Sequence, residues 1–509
     1  MVMPSLSQVP PDRFAHHIFG GARLGDARRT RRAVAVAEQM LKAPGLSFSA
    51  MYSEWGQAKA AYRLMSNGAV SPEALLGSHF EQVRGALPCD GQTVLLIEDT
   101  SEIDYTFRAP VEGLSRVGPG NADHQGFLLH SVIAAAPQEE GAPAGVRSPV
   151  RILGLAHQEY YLRPEKPVSK RDKQSYRARE NRESELFERS TAALGEAPAG
   201  SRFVRVGDRG ADIYLVLARY QAANHGFVIR AKYNRALAAD GEEEARTIGE
   251  ALEGAPWCAE TLEIPLRSRP GQSARTAKVR VRIAPVRLAA PRFSKEARKR
   301  LGLTLEPIVC TVVHLLEDDS TAPPAAPEPA RRKGTKLAKR AQPSARLEWK
   351  LLVSWPVTTF AQACQAARHY ATRWIVEEFH RTLKEGMGAE RLQMETGAAL
   401  MNTVAMMCPL ALRVVDLREL ARLEPQAPAA GTGLTPLELA ILAETAKRPI
   451  NTVEDAARAI GKLGGHLGRK RDGMPGAKNL FRGWRKLQIM TEACVVYESI
   501  RSKGFTGCG

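Results

Sequence analysis

The chain has 509 residues, enough for two to four domains, and carries 72 Lys+Arg against 55 Asp+Glu, a net charge of +17. That excess is spread along the chain and favours a polyanionic partner, nucleic acid first and an anionic membrane surface second. No run of 18 apolar residues exists, the opening MVMPSLSQVPPDRF lacks an apolar signal core, and the seven cysteines form no C-x2-C pair. A membrane-spanning, secreted, disulfide-framed or zinc-bound protein is therefore not expected, and a cytoplasmic one with reduced thiols is.

Residues 11–85 read as short helices. In RLGDARRTRRAVAVAEQML, Asp26 is placed to cap a basic helix. Arg28, Arg29, Arg31 and Arg32 cluster near its start, Lys42 follows further along, and Lys59 and Arg63 stand in AKAAYRLM. Such a uniform set of cations on a helical module suits phosphate contact, although a solvated charged surface looks the same.

The texture changes near residue 92. TVLLIED (93–99) reads as a strand ending in acid, and FLLHSVIAAA (127–136) and VRILGLAH (150–157) as two more strands. A charged helical segment follows at 178–193. FVRVGD (203–208) is again a strand ending in acid, then come a helix at 211–223, a strand GFVIRAK (226–232), and a closing helix only at 359–387. Three strands, helix, strand, helix, strand and a delayed helix is the order of an RNase H-like α/β domain interrupted by an insertion.

The insertion, roughly 235–350, alternates like β structure in AKVRVRIAPVRL. It contains a Pro/Ala/Lys/Arg-rich stretch at 320–346, expected to be a mobile basic loop. Residues 398–509 are mostly helical, with a Pro/Ala/Gly-rich break at 424–435. The expected architecture is α/β: a helical domain at 1–88, an RNase H-like domain at 89–397 with a mostly β insertion, and a helical domain at 398–509.

The densest chemistry lies in HYATRWIVEEFHRTLK, residues 369–384. Tyr370, Arg373, Glu377 and Lys384 stand at relative positions 0, 3, 7 and 14. On an ideal α-helix these fall within an arc of roughly 60°, with Ile375, Val376, Phe379 and Leu383 opposite. One carboxylate between cations and a phenol can hold a divalent ion while its neighbours hold phosphate oxygens. Asp99 and Asp208 at strand ends would converge with Glu377, and three clustered carboxylates repel unless cations such as Mg²⁺ neutralise them. Glu98 and Asp212 are competing choices beside them.

At this point the chain resembles a known family, the bacterial insertion-sequence DDE transposases of the IS-four type. Their hallmark Y-x2-R-x3-E-x6-K is matched by Tyr370, Arg373, Glu377 and Lys384, within TRWIVEEFHRTLKEGMGAER. LLIEDTS (95–101) and VGDRGADIY (206–214) match the two aspartate motifs, and LGDARRT (24–30) and GLAHQEYYLRP (154–164) are also similar. The likeness spans about residue 11 to the C-terminal region.

The resemblance implies a cut-and-paste transposase with Asp99, Asp208 and Glu377 as catalytic metal ligands for two Mg²⁺ ions, Mn²⁺ being the alternative. It implies double-stranded DNA as partner, both transposon ends and target, and a homodimer joined through 398–509 and associated with the nucleoid. The transposon end would be nicked, the freed 3′-OH would form and then lose a hairpin, and the 3′ ends would attack target DNA. Trp349 matches the family's stacking tryptophan, and Arg230 and Lys232 match positions that contact end DNA. Tyr370, Arg373, Lys384 and Arg381 would hold phosphates near the scissile bond. Gln393 stands where a similar transposase carries arginine, so that contact is not carried over. Two other readings remain open: an RNase H-like nuclease without strand transfer, and a DNA-binding regulator descended from a transposase.

Overall fold

The computed structural model describes residues 5–88, 90–118, 124–138, 148–164, 182–238, 246–266, 275–291, 305–322, 346–469 and 472–503. All but the ends of the basic stretch expected at 320–346 lie outside these residues, as does the start of the charged segment at 178–193.

Five helices come first: α1 (Pro11–Phe19), α2 (Ala27–Lys42), α3 (Phe48–Met51), α4 (Trp55–Met65) and α5 (Pro72–Gly85). Asp26 caps α2, its carboxylate accepting the Arg28 backbone N–H at 2.8 Å. The chain then forms β1 (Thr93–Asp104), β2 (Ser115–Arg116), β3 (Gln125–Pro137) and β4 (Val150–Tyr161). Next come α6 (Glu185–Leu194), β5 (Arg202–Gly207), α7 (Tyr214–Ala222), β6 (Gly226–Arg230) and α8 (Ile248–Glu253). Strands β7 (Trp257–Leu266), β8 (Arg275–Leu288), β9 (Ile308–Glu317) and β10 (Glu348–Val353) precede α9 (Phe360–Ala371) and α10 (Trp374–Arg381). The last helices are α11 (Gly397–Leu423), α12 (Pro436–Ala446), α13 (Val453–Leu463) and α14 (Ala477–Ser502).

All ten strands join one mixed sheet, ordered β2-β3-β1-β5-β6-β10-β9-β8-β7 with β4 on β3. Strands β4, β3 and β1 are antiparallel neighbours, whereas β1, β5 and β6 are parallel. This mixed arrangement is compatible with an RNase H-like domain. The β-rich insertion extends the same sheet, because β10 pairs antiparallel with β6 and β9 with β10.

Two strands differ from the sequence expectation. β1 does not end at Asp99: its parallel ladder with β5 stops at Ile97–Val206, but its antiparallel ladder with β3 runs on to Asp104–Gly126. The polar stretch TSEID is carried by one partner strand and buries only Ile103 deeply. β6 ends at Arg230, not at 232. The buried Asp212 carboxylate accepts the N–H groups of Lys232 (2.7 Å) and Tyr233 (3.2 Å), which turns the chain out of the sheet.

α11 is long and apolar enough to cross a membrane, although Asn402, Thr403 and Pro409 interrupt any strict apolar run. It is instead a core helix, with 89% of its apolar window buried inside the protein. Its polar groups fasten the N-terminal helices. Asn402 Nδ2 donates to the carbonyls of Met65 (2.8 Å) and Val70 (2.9 Å), and Arg413 Nη1 to those of Leu6 (2.8 Å) and Val9 (2.6 Å).

Candidate active site

The parallel ladder pairs Thr93 with Arg202 and Ile97 with Val206. Continued two residues, that register sets Asp99 level with Asp208 on adjacent strands about 4.8 Å apart. Side chains alternate across a sheet, and Leu95, Ile97, Val204 and Val206 share a core with Ile375, Val376, Phe379 and Leu383. Asp99 follows the same parity and so faces α10, which carries Glu377. Asp208 stands just past β5, where Oδ1 accepts the Gly210 N–H at 2.6 Å and caps a short 3-10 turn.

The electrostatics tie these groups together. The Asp99 carboxyl is pushed up to about 7, first by burial, then by the negative charge of Asp208, with Glu377 adding to it. Arg373 and the Thr100 N–H, 2.9 Å from Asp99 Oδ1, oppose the rise without cancelling it. Glu377 Oε1 is held by Arg373 Nη2 at 2.6 Å. Among the described residues, no three His, Cys, Asp or Glu side chains are gathered closely enough to hold a metal ion. Each acid is turned instead to an internal donor. The donor chemistry nonetheless suits a hard divalent cation: Asp99 and Glu377 share the Arg373 guanidinium, and the charges of Asp208 and Glu377 still leave Asp99 short of positive charge.

Both competing acids are committed elsewhere. Glu98 points to the opposite face and is fully buried; it accepts from Arg205 Nη1 at 3.0 Å and from Ser190 Oγ at 3.3 Å, and from the Tyr220 hydroxyl. Burial works to raise its pKa, but Arg205 and then His130 hold it below the usual carboxylate range. Asp212, also fully buried, binds Arg235 besides the two backbone N–H groups.

The closing helix is not continuous. Between α9 and α10 the hydrogen bonds shorten to three-residue spacing, with Thr372 N and Arg373 N donating to His369 and Tyr370 carbonyls. The Thr372 hydroxyl also takes the His369 carbonyl at 2.6 Å. After α10, residues Thr382–Gly386 widen into a π turn closed by Met387 N to Thr382 O at 2.8 Å. The tightening and widening break the ideal phasing. Tyr370 is consequently buried, its ring meeting Trp349 edge-on at 5.1 Å, while the Arg373 guanidinium lies 5.8 Å from the Tyr370 ring. Lys384, half-buried, donates to the Glu102 carbonyl at 2.8 Å and pairs with Glu390 at 2.9 Å. Arg381 is exposed and loosely paired with Glu378 at 4.0 Å.

Residues 11–70 match the family model described as transposase DNA-binding, and residues 173–411 match the transposase DDE domain. The chain carries the DNA-binding and DDE domains of a transposase. The DDE match includes Asp208 and Glu377, whereas Asp99 precedes it.

Within the residues that match the DNA-binding model, Arg31, Lys42, Lys59 and Arg63 are exposed, and among the described residues they form no ion pair. Arg28 is exposed too but pairs with Asp26 at 3.0 Å, and Arg29 donates to the Leu24 carbonyl at 2.8 Å. Arg32 joins α2 to α4 through Gln57 at 2.7 Å. In the DDE domain, Arg230 donates to the Glu348 carbonyl at 2.8 Å, and the exposed Lys232 lies 5.2 Å from the Tyr233 ring.

Sequence reading missed His380, three residues after Glu377. It is buried, held neutral by burial that lowers its pKa to about 3, and hydrogen-bonded to Ser131 at 3.3 Å. Ser131 is the cross-strand partner of Asp99, so this contact docks the Glu377 helix against the strand beside Asp99. The spacing from Glu377 was the only signal available for it.

Proposed function

We propose that the chain is a cut-and-paste transposase of the IS-four type whose reacting acids are Asp99, Asp208 and Glu377. The observation that carries this reading is the continued β1–β5 register, which levels Asp99 with Asp208 on the face packed against the Glu377 helix. Two divalent ions, Mg²⁺ or Mn²⁺, held by these carboxylates would supply Lewis-acid activation and charge neutralisation.

The chain's own residues do the rest. Arg373, Lys384 and Arg381 hold phosphate oxygens about the scissile bond, with Tyr370 beneath Arg373 setting its position. Arg373 pairs with Glu377 in the free protein and is the cation nearest the acids, so it is best placed to meet a phosphate there. Trp349, half-buried and edge-on to Tyr370, offers its ring to a base removed from the stack when a strand bends into a hairpin. Arg230 and Lys232 grip end DNA, and Arg28, Arg29, Arg31, Lys42, Lys59 and Arg63 follow its backbone from the domain at 1–88.

The order of steps is a nick at the transposon end, attack of the freed 3′-OH on the opposite strand, hydrolysis of that hairpin, and attack of the 3′ ends on target DNA. Each is an in-line displacement at phosphorus, so one site serves all four. The domain at 398–509 pairs two copies. Exposed Ile489, Val496, Tyr497 and Ile500 on α14 support that pairing. The working location is the cytoplasm, on the nucleoid.

The test uses inverted-repeat DNA taken from the flanks of the gene, Mg²⁺ and a target plasmid. Asp99→Ala, Asp208→Ala and Glu377→Ala should each lose cleavage by about 10³-fold or more while still binding the ends. Full cleavage by any one of them removes that residue from the site. Cleavage by the native chain without joining of 3′ ends to the plasmid would leave a nuclease.

A further inference from the structure

Directly behind the acids, on the opposite face of the sheet, lies a charged cluster with no solvent contact. Glu98 and Arg205 are both fully buried and paired at 3.0 Å. Every nitrogen of the Arg205 guanidinium is used. Nη1 also reaches Ser190 Oγ at 3.2 Å, Nη2 reaches Thr191 Oγ1 at 3.2 Å, and Nε donates to His225 Nδ1 at 3.2 Å. The Tyr220 hydroxyl closes the other Glu98 oxygen, and the Tyr220 ring lies 5.0 Å from the guanidinium.

A buried ion pair is costly to desolvate, and an apolar pair of similar volume is often as stable or more so. Stability alone therefore does not account for it. Register does. β1 presents Val94 and Leu96 to one face and Leu95 and Ile97 to the other; β5 presents Phe203 to the first, and Val204 and Val206 to the second. A slip of two residues between these strands keeps each apolar side chain on its proper face, so hydrophobic pattern specifies the register only weakly. The same slip moves Asp208 about 6.6 Å along Asp99, too far for the two to share an ion. A slip that sets Arg205 level with Val94 also separates it from Glu98, leaving two opposite charges buried and unpaired, whereas the opposite slip sets the two level but pulls Arg205 from Thr191 and Glu98 from Tyr220. In the observed register Arg205 is level with Leu96, two residues before Glu98, so the pair spans the strands diagonally.

We propose that Glu98 and Arg205 are positioning residues, whose buried pairing fixes the β1–β5 register and thereby sets Asp99 beside Asp208. This rests on the assignment of those two aspartates as reacting acids.

The test compares the full-length native chain, the charge-free double variant Glu98→Gln/Arg205→Met, Glu98→Asp, and Asp99→Ala. Each is measured by thermal melting, Mn²⁺ binding by paramagnetic resonance, amide exchange along β1, and cleavage of end DNA. The double variant should melt within about 5 °C of the native chain, since both charges leave together. It should bind Mn²⁺ at least tenfold more weakly, exchange β1 amides faster and cleave correspondingly less. Glu98→Asp keeps the charge but shortens its reach, and should weaken Mn²⁺ binding as well. Native Mn²⁺ affinity in a folded double variant overturns the proposal. If that variant does not fold, native affinity in Glu98→Asp overturns it instead. Native Mn²⁺ affinity and cleavage in Asp99→Ala would remove the aspartate assignment itself, a result separable from failure of the lock.

Discussion

Neutralising Asp99 tests the crowding of the acids without any DNA present. In the metal-free protein its carboxyl sits at about 7, against 3.8 ordinarily, because burial and the facing charge of Asp208 disfavour ionisation. That rise corresponds to about 4 kcal/mol, and closer to 2 once the partial exposure of the residue is allowed for. The folded-state value lies above the unfolded one, so between about pH 4 and pH 7 the folded chain keeps a proton that the unfolded chain has released. That contribution to stability is complete below pH 4 and is lost as pH climbs through 7. Asp99→Asn should remove this loss. Urea midpoints in EDTA at pH 5 and pH 8 measure most of it: the native chain should weaken toward pH 8 by about 1–3 kcal/mol more than the variant does, the first part of the loss lying below pH 5. Mg²⁺ at pH 8 should raise the native midpoint and leave the variant nearly unmoved. Equal pH slopes for the two chains would refute the reasoning.

Trp349→Ala should slow hairpin formation at least tenfold more than first-strand nicking, read by single-turnover gels; equal loss at both steps counts against base stacking on Trp349. Replacing Arg31, Lys59 and Arg63 together by alanine should lower the slope of log affinity against log salt for end DNA by about 2.7, at 0.9 per lost phosphate contact. An unchanged slope would mean that these exposed cations do not meet the backbone. Asn402→Ala strips the buried Met65 and Val70 carbonyls of their donor and should cost about 2–3 kcal/mol in urea unfolding, so a loss below about 0.5 kcal/mol would show that α11 does not fasten the N-terminal helices this way.

Much of this was legible in the residues. Apolar runs such as TVLLI, FVRV and FVIR are strands because their β-branched side chains fill both faces of a covered sheet, and Asp26 caps α2 by ordinary chemistry. Other features were hidden for identifiable reasons. HYATRWIVEEFH contains neither Pro nor Gly, so nothing local announced the break at Thr372, which comes from a hydroxyl taking its own helix carbonyl and from packing of Tyr370 on Trp349. The continuation of β1 past Asp99 depends on pairing with β3, a partner distant in sequence.

The ambiguity between Glu98 and Asp99 shows most clearly where the sequence stops deciding. Adjacent strand residues face opposite ways, so one of the two acids had to point at α10 and the other away from it. The apolar neighbours cannot say which, because Leu95 and Leu96 would suit either face. The long-range partners decide it. An arginine three residues before Asp208 on the adjacent strand, with Tyr220 and Ser190 around it, claims Glu98, and the face left to Asp99 is the one packed by Ile375, Val376 and Phe379. Two acids one residue apart thus take opposite electrostatic states for the same physical reason. Glu98 is buried beside a cation and stays ionised, whereas Asp99 is buried beside other acids and holds its proton to about pH 7.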